Sequence, residues 1–199
     1  MPPDRQALVQ RGLRLNYASL AYNALEAIAS IIAGLLAGSI ALLGFGLDSV
    51  VELTASAAAQ WRLRADLDVQ RRHTVERTTH RIVGWCFMGL VLYVTYAGGR
   101  SLLLRERPER SVFGIVILTL SAVLMPLLAR AKRRVARGLA SGALRAEARQ
   151  TSLCAWLSSI ALAGVALNAA LGWWWADPAA ALAMVPIIVN EGLEGVRAR

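Results

Sequence analysis

The sequence predicts an all-α membrane protein with six transmembrane helices, from its apolar composition and the length and spacing of its apolar segments. Hydrophobic residues make up 56% of the 199 residues, whereas ordinary soluble domains contain roughly half or less. A helix needs about 20 apolar residues to cross the hydrocarbon core of a bilayer. Six segments approach that length: approximately 15–37, 39–61, 82–104, 111–130, 140–172 and 178–194.

Helices are expected in these segments because a backbone in lipid must pair its own polar groups, which a helix does within one segment. Residues 1–14 are then expected to form a cytoplasmic N-terminal segment, and residues 15–196 the six-helix transmembrane domain. No soluble C-terminal domain is expected after the sixth segment.

Basic residues are concentrated on one side of the predicted membrane. The formal net charge is +9, and of the 22 basic residues all except Lys132 are arginines. Most of them flank the apolar segments on one side, while the other side carries Arg100, Arg105, Arg107 and Arg110. The positive-inside rule therefore predicts that both termini are cytoplasmic, in a protein of the plasma (inner) membrane.

The sequence disfavours several classes of function. Arginines that bracket apolar segments indicate membrane topology rather than a nucleic-acid surface. The chain has no glycine-rich phosphate loop, so a nucleotide partner is not expected. It shows no nucleophile–base arrangement, so an enzyme is not expected either. Cys86 and Cys154 lie in apolar segments and do not suggest a disulfide framework.

Two segments 102 residues apart share a pattern. Residues 39–52 read SIALLGFGLDSVVE and residues 141–154 read SGALRAEARQTSLC, with serine, alanine and leucine at matching offsets. An odd number of helices separates these segments, so they cross the membrane in opposite directions. This predicts an inverted repeat, which is typical of secondary transporters that bind substrate where the repeats meet.

Three acidic residues, Glu26, Asp48 and Glu52, lie within predicted membrane helices. An ionisable group at that depth costs several kcal/mol, so each of them is a candidate for function. Asp48 and Glu52 are four residues apart and face one way, as do Gln150 and Cys154 on the fifth helix. Counted from the turn between the first two helices, Glu26 and Asp48 have nearly the same depth. Three helices can therefore bring carboxylates, an amide oxygen and a thiol to one level.

This donor set suits a divalent transition metal. Zn²⁺ accepts cysteine sulfur together with carboxylate oxygen, whereas Ca²⁺ and Mg²⁺ prefer oxygen alone. Zn²⁺ is therefore the first expectation, with Cd²⁺, Fe²⁺, Co²⁺ and Mn²⁺ as further candidates. The predicted metal ligands are Asp48, Glu52, Gln150, Cys154 and Glu26.

Other polar residues are assigned to the path of the ion. Asn23, one turn from Glu26, and Glu147, at the cytoplasmic end of the fifth helix, are candidates for a gate or access point. His73 and His80 are seven residues apart in a charged segment that is predicted to be a solvated loop, so metal capture there is less favoured.

Alternative roles stay open for some of the predicted ligands. Considered alone, Cys154 is also consistent with a role as a small buried residue. Gln150 alone is also consistent with a polar contact between helices. Glu26 fits a proton path as well as a ligand position.

Two other classes of function also stay open on the sequence. An exporter of an organic cation would use the membrane acids to bind protons, and Cys154→Ser would then have little effect. A membrane scaffold or metal sensor would not transport at all, and Asp48→Asn would then leave its function intact.

The sequence resembles the cation diffusion facilitator, or cation efflux, family of divalent-metal transporters. The resemblance extends over all six segments and is carried by residues 38–52 (GSIALLGFGLDSVVE), 144–154 (LRAEARQTSLC) and 172–178 (GWWWADP). The chain looks like the short branch of that family, which lacks the C-terminal cytoplasmic domain.

Members of that family carry pairs of histidine or aspartate ligands, four residues apart, on the second and fifth helices. By position these are Asp48 and Glu52, then Gln150 and Cys154, so the chain departs from the pattern at three of the four positions. The resemblance implies a homodimeric metal/proton antiporter in the lipid bilayer, with the third and sixth helices near the dimer contact.

Overall fold

The chain folds into helices throughout the part that the structure describes. A computed structural model covers residues 5–64, 69–139 and 142–197, with side chains described except at 5, 9, 55–64, 69–80, 142–144, 146 and 147. These residues form six helices and no strand, which confirms the all-α prediction. The helices are α1 (Arg5–Ala37), α2 (Ile40–Arg64), α3 (Val69–Leu104), α4 (Val112–Gly138), α5 (Gly142–Leu171) and α6 (Ala176–Arg197).

Several helices extend beyond the apolar segments that predict them. α1 begins at Arg5, α3 begins at Val69, and α4 continues to Gly138. Apolar composition marks the part of a helix that meets lipid, whereas the hydrogen-bonded backbone continues into the charged flank. The loop predicted around His73 and His80 is therefore wrong, because this segment is helical; the two histidine side chains lie outside the described ones.

Within the described residues, five helices are long and apolar enough to cross a membrane, namely Gln6–Ala37, Arg81–Leu104, Val112–Gly138, Ala148–Leu171 and Ala176–Arg197. In α2, side chains are described only from Ile40 to Thr54, a stretch shorter than a span. These helices indicate an integral membrane protein, whereas the sixth span and the cytoplasmic termini stay predictions.

Two connections at one end of the bundle turn sharply. Gly38, between α1 and α2, has φ +64°, and Gly172, before α6, has φ +69°. This left-handed conformation is readily adopted only by glycine. The segment between α3 and α4 lies at the same end, since the Glu109 amide donates to the Ala37 carbonyl at 2.8 Å. Three connections therefore meet at the end that the arginine count predicts to be outside.

The helices pack in two halves of similar design. α1 packs on α2 as α4 packs on α5, and α2 packs on α3 as α5 packs on α6. α1, α2, α4 and α5 form one group, and α3 and α6 pair beside it. This pattern is the one expected of a repeat, and it places α2 and α5 in contact at the centre.

Candidate cation site

The tight turn between α1 and α2 lets acids from both helices meet. The helices approach closely, because a Cβ added to Gly46 would lie 3.0 Å from the backbone nitrogen of Ile31. Across this contact Ser49 Oγ donates to Glu26 Oε2 at 3.0 Å. Since Asp48 precedes Ser49 in the chain, it has the depth of Glu26, as the count from the turn predicts.

Helix α5 adds a thiol to these acids. Cys154 Sγ donates to Glu26 Oε2 at 3.8 Å and also has a hydrogen-bonding interaction with Glu52. Asp48 is electrostatically coupled to Glu52 and Glu26. All four side chains are at most 3% exposed. Three helices therefore gather a buried group, the acidic cluster, defined by Glu26, Asp48, Glu52 and Cys154.

Within the acidic cluster, Cys154 Sγ lies 3.8 Å from Glu26 Oε2, and Asp48 interacts with the other two acids electrostatically. Among the described residues, no three His, Cys, Asp or Glu side chains converge closely enough to hold one metal ion. Zn²⁺ bonds to oxygen at about 2.0–2.2 Å and to sulfur at about 2.3 Å. The acidic cluster is therefore not assembled as a metal site within the described residues.

The remaining predicted site residues lie around the acidic cluster. Asn23 is 1% exposed, one turn from Glu26 on α1. Gln150 on α5 is half-buried, and no hydrogen bond within the described residues joins it to the carboxylates. Glu147 belongs to α5 but its side chain lies outside the described ones. Of the five predicted ligands, Glu26 and Cys154 are in hydrogen-bonding contact, Asp48 and Glu52 are buried on α2, and Gln150 is half-buried.

Two further helices reach the acidic cluster, which the sequence analysis missed. Tyr22 lies one turn from Glu26 on α1, and its hydroxyl is 2.9 Å from Ser121 Oγ of α4. Glu191 of α6 is half-buried and electrostatically coupled to Asp48. Like Glu26, Glu191 is an acid in an apolar segment of the sequence. It was not selected as a candidate because it lies near the end of that segment.

Lys132 lies at the contact between α4 and α5. The sequence places it in the charged flank after the fourth segment, but α4 continues through it and the side chain is 2% exposed. Its Nζ donates to Thr151 Oγ1 of α5 at 3.2 Å. In the next pair along the two helices, Arg133 Nη2 donates to Ser152 Oγ at 2.5 Å. Lys132 is the single lysine of the chain, and this feature of the sequence could have identified it as a candidate.

Asp177 joins α6 to α2 at the opposite end of the bundle from Lys132. Its Oδ1 accepts the amides of Ile40 at 2.9 Å and Ala41 at 3.3 Å, and its Oδ2 accepts a short hydrogen bond from Ser39 Oγ. A carboxylate at a helix N-terminus satisfies free amides and complements the helix dipole. Asp177 therefore fixes the start of the helix that carries Asp48.

Comparison with known proteins yields a family and one relative. The family model described as the cation efflux transmembrane domain matches residues 17–198. Transmembrane protein 163 of Xenopus laevis is 28% identical over 143 residues, which are 72% of this chain and 50% of that protein. The chain thus spans about half the length of this curated relative.

Proposed function

The chain belongs to the cation efflux family, and from this premise we propose that it exports a divalent transition metal, with Zn²⁺ as the expected cargo, in exchange for protons. The family transports metal cations across membranes, and its members are transporters rather than enzymes. The observation that carries the proposal is the acidic cluster, in which three helices bury three carboxylates beside a thiol.

The donor set supports a transition metal over Ca²⁺ or Mg²⁺. Asp48 and Glu52 from α2 supply charged oxygens, Glu26 from α1 supplies a third, and Cys154 supplies sulfur. A thiolate favours Zn²⁺ or Cd²⁺, whereas Ca²⁺ and Mg²⁺ gain little from it. Gln150 would join as an oxygen ligand after a small rotation of α5. Fe²⁺, Co²⁺ and Mn²⁺ remain candidates for the same donors.

Proton exchange follows from the chemistry of these ligands. Carboxylates and a thiol must be deprotonated to bind a metal, so each metal that binds releases protons. A site open alternately to each side would then couple metal export to proton uptake. Asn23 on α1 and Glu147 on α5 are proposed to lie on the access path of the ion.

We also propose that the transporter works as a homodimer in the plasma (inner) membrane. α3 and α6 approach each other closely, since a Cβ added to Gly84 would lie 2.6 Å from the backbone nitrogen of Val196. The two helices thus form one close pair at the side of the bundle, and we propose that this pair faces a second copy. Native mass spectrometry of the purified protein checks this, with a dimer as the expected species.

A proton-coupled exporter of an organic cation is the second candidate, because buried carboxylates also serve that chemistry. Cys154 discriminates between the two candidates, since an organic cation has no use for a thiol. A metal sensor or scaffold differs from both in binding metal without moving it.

The proposal is tested by flux into proteoliposomes that carry a pH gradient. Zn²⁺, Cd²⁺, Fe²⁺, Co²⁺ and Mn²⁺ are presented one at a time to protein-containing and protein-free vesicles, with metal and internal pH followed by dyes. We expect Zn²⁺ uptake that is accompanied by proton movement in the opposite direction. Binding of Zn²⁺ without any metal flux would favour the sensor, and flux of organic cations alone would favour the second candidate.

A further inference from the structure

Two exposed arginines, Arg11 and Arg134, border the seam between α1 and α4 at the end of the bundle that is predicted to be cytoplasmic. A Cβ added to Gly138 would lie 2.9 Å from Leu8 Cδ1, so the start of α1 packs on the last turn of α4. Arg11 follows Leu8 by three residues, and Arg134 precedes Gly138 by four. Residues at these spacings are neighbours on one side of a helix, so both arginines flank this contact.

The two arginines also lie at nearly the same depth. Further along the seam, the Tyr22 hydroxyl lies 2.9 Å from Ser121 Oγ, so α1 and α4 run in opposite directions. At a rise of 1.5 Å per residue, Arg11 lies about 4.5 Å and Arg134 about 6 Å inward from the contact at the helix ends. Two guanidinium groups can therefore bind one anion between them.

A row of exposed apolar residues continues from each arginine along the membrane-spanning part of its helix. At intervals of seven residues these are Ala18, Leu25 and Ile32 after Arg11, and Leu127, Leu120 and Phe113 before Arg134. Seven residues are close to two turns of a helix, so each row stays on one face with a small drift. The charged pair thus stands at the end of two lipid-facing rows.

The charge around the seam is of one sign. α4 carries five basic residues and no acid, and residues 5–25 of α1 carry three arginines and no acid. Guanidinium groups bind phosphate oxygens through paired N–H donors. Basic pockets between membrane helices on the cytoplasmic side bind the headgroups of anionic lipids. Charge complementarity therefore points to an anionic partner that carries a phosphate.

We propose that the seam between α1 and α4 binds one anionic phospholipid of the inner leaflet. Its phosphate would lie between Arg11 and Arg134, and its acyl chains would lie along the two apolar rows. A free phosphate would leave both rows without a partner, whereas a lipid covers them. Because α1 and α4 belong to different halves of the bundle, the bound lipid would contact both halves. This inference goes beyond the proposed function and does not depend on it.

Native mass spectrometry of the purified full-length protein in a neutral detergent, titrated with phosphatidylglycerol, tests the proposal. A neutral micelle has no charged surface, so binding reports a site on the protein. We expect the affinity for the first lipid to fall roughly fivefold in Arg11→Gln and in Arg134→Gln, which is the contribution of one basic residue to anionic-lipid binding. Arg11→Lys and Arg134→Lys keep the charge and are expected to retain most of the affinity, which guards against loss through misfolding.

Arg137→Gln is the matched control, because it removes the same charge from the same end of α4. Arg133 donates to Ser152 of α5, so that side of α4 faces α5. Arg137 follows Arg133 by four residues and is exposed, so it lies on the side away from the seam. The affinity for phosphatidylglycerol is therefore expected to change little in this variant.

Two further ligands identify the source of the anion. We expect weaker binding of phosphatidylcholine, which carries a phosphate without net charge, and no displacement of phosphatidylglycerol by inorganic phosphate. Equal affinity for the two lipids, or displacement by inorganic phosphate, overturns the inference. So does unchanged affinity in Arg11→Gln and Arg134→Gln, or an equal loss in Arg137→Gln. None of these measurements involves a transition metal, so their failure is distinct from failure of the proposed function.

Discussion

Cys154 is the residue that distinguishes the acidic cluster from a site built only of oxygen. It is 2% exposed and interacts with both Glu26 and Glu52. Sulfur ligands favour soft and borderline metals such as Cd²⁺ and Zn²⁺, and add little for Mn²⁺. The preference among metals is therefore expected to depend on this one side chain.

Cys154→Ser is expected to lower the affinity for Zn²⁺ and Cd²⁺ by roughly tenfold to a hundredfold, while affinity for Mn²⁺ changes little. Titration calorimetry with the three metals measures this. Cys86→Ser is the control, since Cys86 is exposed on α3. Equal losses for all three metals, or no loss for any, would contradict a thiol ligand.

The affinity for Zn²⁺ is expected to rise with pH through neutrality. The thiol and the carboxylates lose protons when the metal binds, so acid favours the metal-free protein. Calorimetry in two buffers with different heats of ionisation gives the number of protons released for each metal bound. That number is expected to be smaller in Cys154→Ser, and an affinity independent of pH would argue against proton exchange.

At the scale of single elements, Asp177 stabilises the N-terminus of α2 from a distant part of the chain. Removing an N-terminal cap costs about 0.5–2 kcal/mol, so Asp177→Ala is expected to lower the free energy of unfolding by that amount or slightly more. Asp177→Asn, which keeps an acceptor oxygen, should cost less. Thermal unfolding in detergent measures both.

Glu106→Gln is the matched control for Asp177. Glu106 is an acid at the same end of the bundle, and it pairs at 3.1 Å with Arg100, with both side chains about half-exposed. Exposed ion pairs contribute about 0–1 kcal/mol. A loss in Glu106→Gln as large as in Asp177→Ala would show that charge at this end, rather than capping of α2, is responsible.

The contact between α3 and α6 depends on a glycine. A Cβ at Gly84 would lie 2.6 Å from Val196 N and 2.8 Å from Gly195 C, and backbone atoms cannot give way as a side chain can. Gly84→Ala is therefore expected to destabilise the protein by about 1–3 kcal/mol. Gly89→Ala on the same helix meets no atom within 4 Å and should be neutral or stabilising. Equal unfolding temperatures for the two variants would exclude close packing as the reason for Gly84.

At the scale of the whole molecule, the distribution of arginine predicts the topology in the membrane. The substitutions Arg107→Cys and Arg137→Cys, each made with Cys86 and Cys154 changed to serine, place one thiol in the segment before α4 and one in the last turn of α4. A maleimide that cannot cross membranes should label position 107 in intact cells and position 137 only after permeabilisation. Labelling of both positions from one side would contradict a membrane-spanning α4.

Much of the fold could be predicted from the sequence because lipid imposes simple rules. The apolar segments predict the helices, and the depth count predicts that Asp48 lies level with Glu26, next to Ser49. Helix ends could not be predicted this way, since the charged flanks of α3 and α4 remain helical outside the apolar segments.

The candidate site was predictable only in part, for a related reason. Membrane acids stand out in an apolar segment, so Glu26 and Asp48 were found, whereas Tyr22 looks ordinary in sequence and Lys132 stands among the arginines of a charged flank. Their roles depend on which helix faces them, which is a property of packing. The half-buried position of Gln150 likewise depends on the rotation of α5, which no spacing rule supplies.

The most direct test compares Zn²⁺ flux by the wild-type protein and by Asp48→Ala in proteoliposomes with a pH gradient. The unfolding temperature of Asp48→Ala is measured as well. An unchanged temperature shows that the variant is folded, so a loss of flux can be assigned to the missing carboxylate. The account predicts Zn²⁺ flux driven by the gradient in the wild type and its loss in Asp48→Ala. Undiminished flux in a folded Asp48→Ala protein would contradict transport through the acidic cluster.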